Sequence, residues 1–184
     1  LMIGNTNAIT YKEVFPLIKE NRLWLGATGF STDMVFGVPE GTIIPEAYKK
    51  KAEKMGYVGN YTRLGNSCWF TNMEHGRRHQ PLSLMTMEEN IMYSRHKDIK
   101  GKGYAKYDNY DAIEVPFVDA IPSDYNGAMG VPITFLDKYC PEQFEILGAT
   151  ESEGKGFSNG IWLESSNISQ PLVCEDKKYK RIFI

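Results

Sequence analysis

Apolar residues fall along this chain in short runs punctuated by glycine, asparagine and proline, a rhythm of brief strands and short helices. Leu1-Met2-Ile3-Gly4 is a continuous apolar run, the pattern of a buried strand, and it opens without a polar lead-in, as in a segment cut from something longer. Asn5-Thr6-Asn7-Ala8 follows as a polar loop at the C-terminal end of that strand, where α/β proteins place their sites. Thr10 and Glu13 have the spacing of a capping box, and Val14, Phe15, Leu17 and Ile18 give an apolar helical face. Pro16 lies too deep for a first-turn proline, which predicts a kink or two short helices. Leu23-Trp24-Leu25-Gly26 is a second short strand, so the first 26 residues make a minimal βαβ unit.

A small-residue loop over 26–32 leads to a strand over 33–39. Pro45 opens a helix over 46–55 that stops at Gly56. Its lysine run, Lys49-Lys50-Lys51, is a solvated helix face or, alternatively, a phosphate contact. Next comes the stretch around which the chain is organised, Ser67-Cys68-Trp69-Phe70-Thr71-Asn72-Met73-Glu74-His75, followed by its tightest basic cluster, Gly76-Arg77-Arg78-His79. Neighbours in a strand point to opposite faces, so one of Trp69 and Phe70 packs inward and the other stands outward beside the arginines. An aromatic face beside arginines suits an unstacked nucleobase and its phosphates; a core strand followed by a solvated turn is the other reading. Further on, the pattern predicts a strand over 81–85, a helical turn over 87–93, a basic surface loop over 95–106, and a tyrosine-rich turn entering a strand over 107–115. After these come a strand running into a short helix over 130–139, a strand over 144–148, a flexible loop over 150–160, and a last strand over 179–184.

With 184 residues the chain can bury one real core. Its net charge of −2 provides no global field for nucleic acid, so any such binding rests on a local patch. No apolar run is long enough to span a bilayer, and no stretch has the pattern of a signal peptide. Cys68, Cys140 and Cys174 are widely spaced, without Cys-x-x-Cys, which points to free thiols and a reducing, cytoplasmic compartment. His75 and His79 have helical i, i+4 spacing, but Gly76 weakens a helix there, so a polar turn or a phosphate contact is preferred to a metal site. There is no Gly-x-Ser-x-Gly and no P-loop, and the Gly-Lys-Gly triplets at Gly101 and Gly154 lack a strand-to-helix context. Motifs alone give no self-sufficient active site.

Several longer runs carry a resemblance. They are Ile3-Gly4-Asn5-Thr6-Asn7-Ala8-Ile9-Thr10-Tyr11-Lys12-Glu13, Phe15-Pro16-Leu17-Ile18-Lys19, Leu23-Trp24-Leu25-Gly26, Trp69-Phe70-Thr71-Asn72, Lys106-Tyr107-Asp108-Asn109-Tyr110-Asp111-Ala112-Ile113, and Gly130-Val131-Pro132-Ile133-Thr134-Phe135-Leu136-Asp137-Lys138-Tyr139 with Gln143-Phe144-Glu145-Ile146. In this order they resemble the EcoRI-type adenine-specific DNA methyltransferases of restriction–modification systems and phages. The family's Asn-Pro-Pro-Phe motif and glycine-rich cofactor loop have no counterpart here, so the chain resembles the C-terminal half of such an enzyme.

The resemblance implies an α/β fold: the later strands of a Rossmann-like methyltransferase sheet over 1–80, and an irregular β-rich part over 81–184 carrying DNA-facing or target-recognition elements. It implies double-stranded DNA as partner, S-adenosylmethionine as cofactor bound mainly by an N-terminal half outside this chain, and an isolated chain that is inactive. It implies no catalytic residue here. A target-base pocket would hold Phe70, then Trp69, with Asn5 at its rim. Arg77, Arg78 and His79 would contact phosphates, joined by Lys97, Lys100 and Lys102. Tyr107, Asn109 and Tyr110 would shape the DNA-facing side, or pack at a junction. The first strand would expose a hydrophobic edge inviting self-association. The alternatives are a stand-alone, non-catalytic nucleic-acid-binding module and, more remotely, a glycan-binding domain.

Overall fold

The computed structural model describes residues 1–30, 33–150, 160–163 and 168–184. The chain is mixed α/β, built from several small sheets and three short α-helices.

Strand β1 (Met2–Asn5) runs into a 3-10 turn (Thr6–Thr10), helix α1 (Phe15–Lys19) and strand β2 (Trp24–Leu25). Strand β3 (Met34–Gly37), helix α2 (Glu46–Lys54) and strand β4 (Tyr61–Leu64) form a separate excursion before strand β5 (Ser67–Thr71). The first sheet has the order β1-β5-β2, with β5 antiparallel to both neighbours. β1 and β2 therefore run the same way, as a βαβ unit requires, but they are not adjacent. A strand contributed some forty residues later is inserted between them.

The helical details differ from the sequence pattern. Thr10 does not cap a helix; its hydroxyl donates to the Asn7 carbonyl within the 3-10 turn. α1 begins only at Phe15, so Pro16 sits in its first turn, where the missing N–H costs nothing. No break occurs at Pro16; the 3-10 turn ends at Thr10, ahead of the predicted helix, and α1 is a single short helix after residues 11–14. A full capping box forms instead at helix α3 (Met87–Tyr93). There the Thr86 hydroxyl accepts from the Glu89 N–H, and the Glu89 carboxylate accepts from the Thr86 N–H.

The second half centres on a four-stranded sheet of order β6-β7-β11-β8, made from β6 (Ile113–Glu114), β7 (Met129–Pro132), β8 (Gly148–Ala149) and β11 (Arg181–Phe183). A small pair, β9 (Leu172–Val173) and β10 (Asp176–Lys177), lies outside it. β7 runs into a 3-10 turn (Ile133–Asp137), as its sequence predicts. Residues 81–85 are irregular and 144–147 are not a strand, unlike their patterns. Most of the loop expected over 150–160 lies outside the described residues. The C-terminal strand is not peripheral, since β11 pairs on both edges.

One apolar core joins the two halves of the chain. Ile9, Phe15, Ile18, Leu25 and Phe70 pack with Val115, Ile121, Val131, Phe135 and Ile182. At its border the Glu114 carboxylate receives two hydrogen bonds from Arg181, at 3.0 and 2.5 Å, and a third from the Tyr107 hydroxyl. Both charged side chains are about nine-tenths buried. Burial opposes the charge on Arg181, but its bonds to Glu114 more than offset this and hold it above the ordinary guanidinium value. Glu114→Leu should therefore destabilise the chain by roughly 3–5 kcal/mol in urea unfolding, because it strands a buried guanidinium, and Glu114→Leu with Arg181→Met should recover most of the loss. A single-variant loss below about 1 kcal/mol would mean the pair behaves as a solvated one.

Candidate nucleic-acid interface

Alternation along β5 decides which aromatic is available. Directly opposed residues of antiparallel strands share a face, so Phe70 lies with Met2 and Leu25 while Trp69 lies with Ile3. Phe70 is 1% exposed and sits in the core. Trp69 is half-buried on the other face, and Ile3 beside it is 43% exposed. Gly26 allows the close approach of β2 here: a Cβ at that position would stand 2.8 Å from the Trp69 Cβ. Asn5 ends β1 on the same face, and its carboxamide oxygen caps the next turn by accepting from the Asn7 N–H at 2.8 Å. Trp69, Ile3, Asn5 and the 26–30 loop thus share one end of the sheet. β1 is an edge strand there, and its apolar Leu1, Met2 and Ile3 are exposed.

The segment after β5 folds over the other end of that face. His75 bonds the Leu25 carbonyl through Nε2 at 2.9 Å. Arg78 is buried, with its guanidinium 3.7 Å above the Trp24 ring and a bond to the Asn21 carboxamide oxygen at 3.0 Å. Arg77 donates to the Ala27 carbonyl at 2.6 Å and to Asp137 at 3.1 Å, tying the 26–30 loop to the turn after β7. Gly29 is required in that contact, since a Cβ there would stand 2.7 Å from the Asp137 carboxylate. Arg77 and Lys138 also line a cavity of about 380 Å³. The carboxylate of Asp119, which also lines it, is held by Arg95 at 2.6 Å and His96 at 2.8 Å. His79 is exposed on both ring edges but bridges Glu74 at 2.9 Å and Glu142 at 2.7 Å.

The structure brings Asn5 and Trp69 together and gathers Arg77, Arg78 and His79 at the other end. It places Tyr107, Asn109 and Tyr110 elsewhere, inside the second sheet. Asn109 is 1% exposed; it donates to the carbonyls of Ile168 and Gln170 and accepts from the Leu172 N–H. The Tyr110 hydroxyl donates to the Ser169 carbonyl at 2.7 Å, and its ring meets Trp162 edge-on. Burial pushes both tyrosine hydroxyls up, and at Tyr107 the charge of Glu114 adds to it. This is the packing arrangement, with no side-chain face turned to a partner. Trp24, Asn21 and Asp137 organise the arginines; Trp24 and Asp137 lie in runs that carry the family resemblance, but their partnership with the arginines is non-local and leaves no mark in the sequence.

His79 gives a pH dependence. Hydrogen bonds donated to the carboxylates of Glu74, then Glu142, hold its imidazole above the ordinary value of 6.5. A folded-state value above the unfolded one adds stability fully below about pH 6.5 and loses it as pH rises through the raised value. An NMR titration of His79 should show a midpoint above 6.5, and His79→Gln should lower stability more at pH 5.5 than at pH 8.5. A midpoint at or below the ordinary imidazole value would remove the bridge.

The family model for the adenine-specific methyltransferase EcoRI matches residues 1–184. The chain is 45% identical over 150 residues to the type II methyltransferase M.EcoRI of Escherichia coli, a match covering 80% of this chain and 41% of that protein. It is 36% identical over 151 residues to the type II methyltransferase M.MpnI of Mycoplasma pneumoniae, covering 80% and 43%. A type II methyltransferase of Mycoplasma genitalium matches at the same identity over 150 residues, again covering 80% and 43%. The chain thus spans less than half the length of these relatives, and no solved structure matches it. On the match along its whole length, the chain belongs to the EcoRI family of adenine-specific methyltransferases.

Proposed function

We propose that this chain is the base-pocket and DNA-contacting part of a site-specific DNA adenine-N6 methyltransferase of restriction–modification or phage type. The observation that carries the reading is the half-buried Trp69 beside Asn5, at the open end of an edge strand, in a chain of this family. An adenine must leave the duplex for its N6 to be methylated, and the extruded base needs a flat apolar wall. Trp69 offers that wall on the accessible face, Asn5 stands at its rim, and Phe70 anchors the same strand in the core. Arg77, with Lys138 across the cavity, supplies cations for a phosphate; Arg78 holds Trp24 and the segment carrying Arg77 in place. Tyr107, Asn109 and Tyr110 act by fixing the second sheet behind this surface.

S-adenosylmethionine supplies the methyl group in such an enzyme, but the residues present do not form its site. A second cavity, about 500 Å³, includes Glu114, whose carboxylate is already taken by Arg181 and Tyr107, and the Lys102-Gly103 end of a Gly-Lys-Gly triplet that lacks the strand-to-helix context of a cofactor loop. On this reading the cofactor belongs to the part of the longer relatives outside the match, and β1's free edge, with exposed Met2 and Ile3, is where that part would complete a Rossmann-like sheet.

A chimera tests the reading: this chain replaces the matching segment of the Escherichia coli relative, and transfer of labelled methyl to adenine is measured. The chimera should methylate duplex DNA, and Trp69→Ala should lower turnover about ten- to hundred-fold, the worth of one stacked base, with duplex affinity nearly kept. Unchanged turnover would remove Trp69 from the pocket. A folded chimera that binds DNA without methylating it would overturn the assignment.

A further inference from the structure

The β3–α2–β4 excursion is used by nothing described so far. Its two strands pair only with each other, from Met34↔Leu64 near the body to Gly37↔Tyr61 at the far end. An ion pair between Arg63 and Asp33 locks its base, and a bond from the Val38 N–H to the Asn60 carbonyl, at 2.8 Å, closes its outer end. α2 packs on β4 through Ala52, its one fully buried residue. The rest of that helix has no structural need to be basic, yet four of its nine residues are lysine against two glutamates. Lys50 pairs with Glu46, whereas Lys49, Lys51 and Lys54 form no salt bridge among the described residues. Around this helix, residues that normally avoid water are left in it: Ile43 is 95% exposed, Val58 78% and Tyr57 45%. Gly41, Gly56 and Gly59 set the turns that present them, each at a φ between +82° and +106° where a side chain would be strained.

We propose that this arm is a DNA-reading element: α2 lays the exposed Lys51 and Lys54, one turn apart on the face away from the half-buried Lys49, along the phosphates while Tyr57, Val58 and Ile43 enter the adjoining groove. This rests on the methyltransferase reading for its choice of duplex DNA as occupant. Charge favours it independently. The chain carries −2 overall, while α2 carries +2, so positive charge is concentrated on the arm and not on the remainder of the chain, as contact with a polyanion there requires. Size permits it too, since a major groove about 12 Å wide admits one helix, and α2 has only Ala52 buried.

The test is binding of this chain to a fluorescent duplex by anisotropy across a salt series. Changing Lys51 and Lys54 together to Ala should weaken binding at least about five-fold and reduce the slope of log affinity against log salt by about two, since each neutralised phosphate contributes about 0.9. The same two positions changed to Arg should keep both affinity and slope. If the wild-type chain binds and the alanine variant matches it in affinity and slope, the arm is a solvated face and the proposal fails, while the chimera result stands on its own. If the alanine variant instead changes only the sedimentation of the free chain, the arm is a self-association surface and the proposal also fails. A wild-type chain that does not hold the duplex at low salt overturns the arm's role, and the methylation assay then decides the wider reading separately.

Discussion

The fold turns on β5 lying antiparallel between β1 and β2. That placement fixes which face of the strand each residue takes, because register and alternation leave no freedom once one face is buried. Phe70 and Cys68 go to the core, and burial together with Asp137 raises the Cys68 thiol to about 11, so it stays protonated and inert. Trp69 goes to the outer face. The chain leaving β5 must then turn across that face, which brings Arg78 onto Trp24 and Arg77 onto Asp137. A one-residue slip would put Trp69 inside and Phe70 outside, and the arginines would lose the ring and carboxylate that hold them.

The charged contacts divide by how much water reaches them. Glu114 and Arg181 are almost dry, so each depends on the other, and their removal is felt by the core. His79, Glu74 and Glu142 are about half exposed, so their bridge adjusts with pH but adds little to stability. Arg77 lies between these cases. Its side chain is 36% exposed, it is anchored at two points, and it keeps a face toward a cavity. An anchored cation at a cavity wall can meet an anion without the entropy cost that a free surface lysine bears.

Local pattern was legible where local chemistry decides structure. The helix over 87–93, the strand running into a turn after residue 130, the strand at the C-terminus and the opposite facing of Trp69 and Phe70 all follow from short-range rules. What was not legible is non-local. Nothing between residues 1 and 26 announces that β5 will come between β1 and β2. Nothing in Asn109 or Tyr110 shows that their polar groups will be consumed by carbonyls near residue 170, some sixty positions away. Tyrosine and asparagine have the same composition whether they face DNA or satisfy buried backbone, and only the fold separates the two. The site was half legible for the same reason: the aromatic and the arginines could be named, but not the neighbours that bury Arg78 and leave Arg77 at a cavity.

This division also bears on where a chain of negative charge can meet DNA. The basic cluster after β5 is largely spent on internal partners, so it positions more than it attracts. The lysines of α2 are in the opposite situation, since they hold no part of the core and sit beside exposed apolar residues. Sequence-independent attraction requires accessible cations in number, whereas a base pocket requires rigidly held groups. The two demands conflict on a single surface, because a side chain committed to fixing the pocket is not free to follow the backbone. On the proposed reading, positive charge on the arm and a fixed aromatic on the sheet resolve that conflict within one chain.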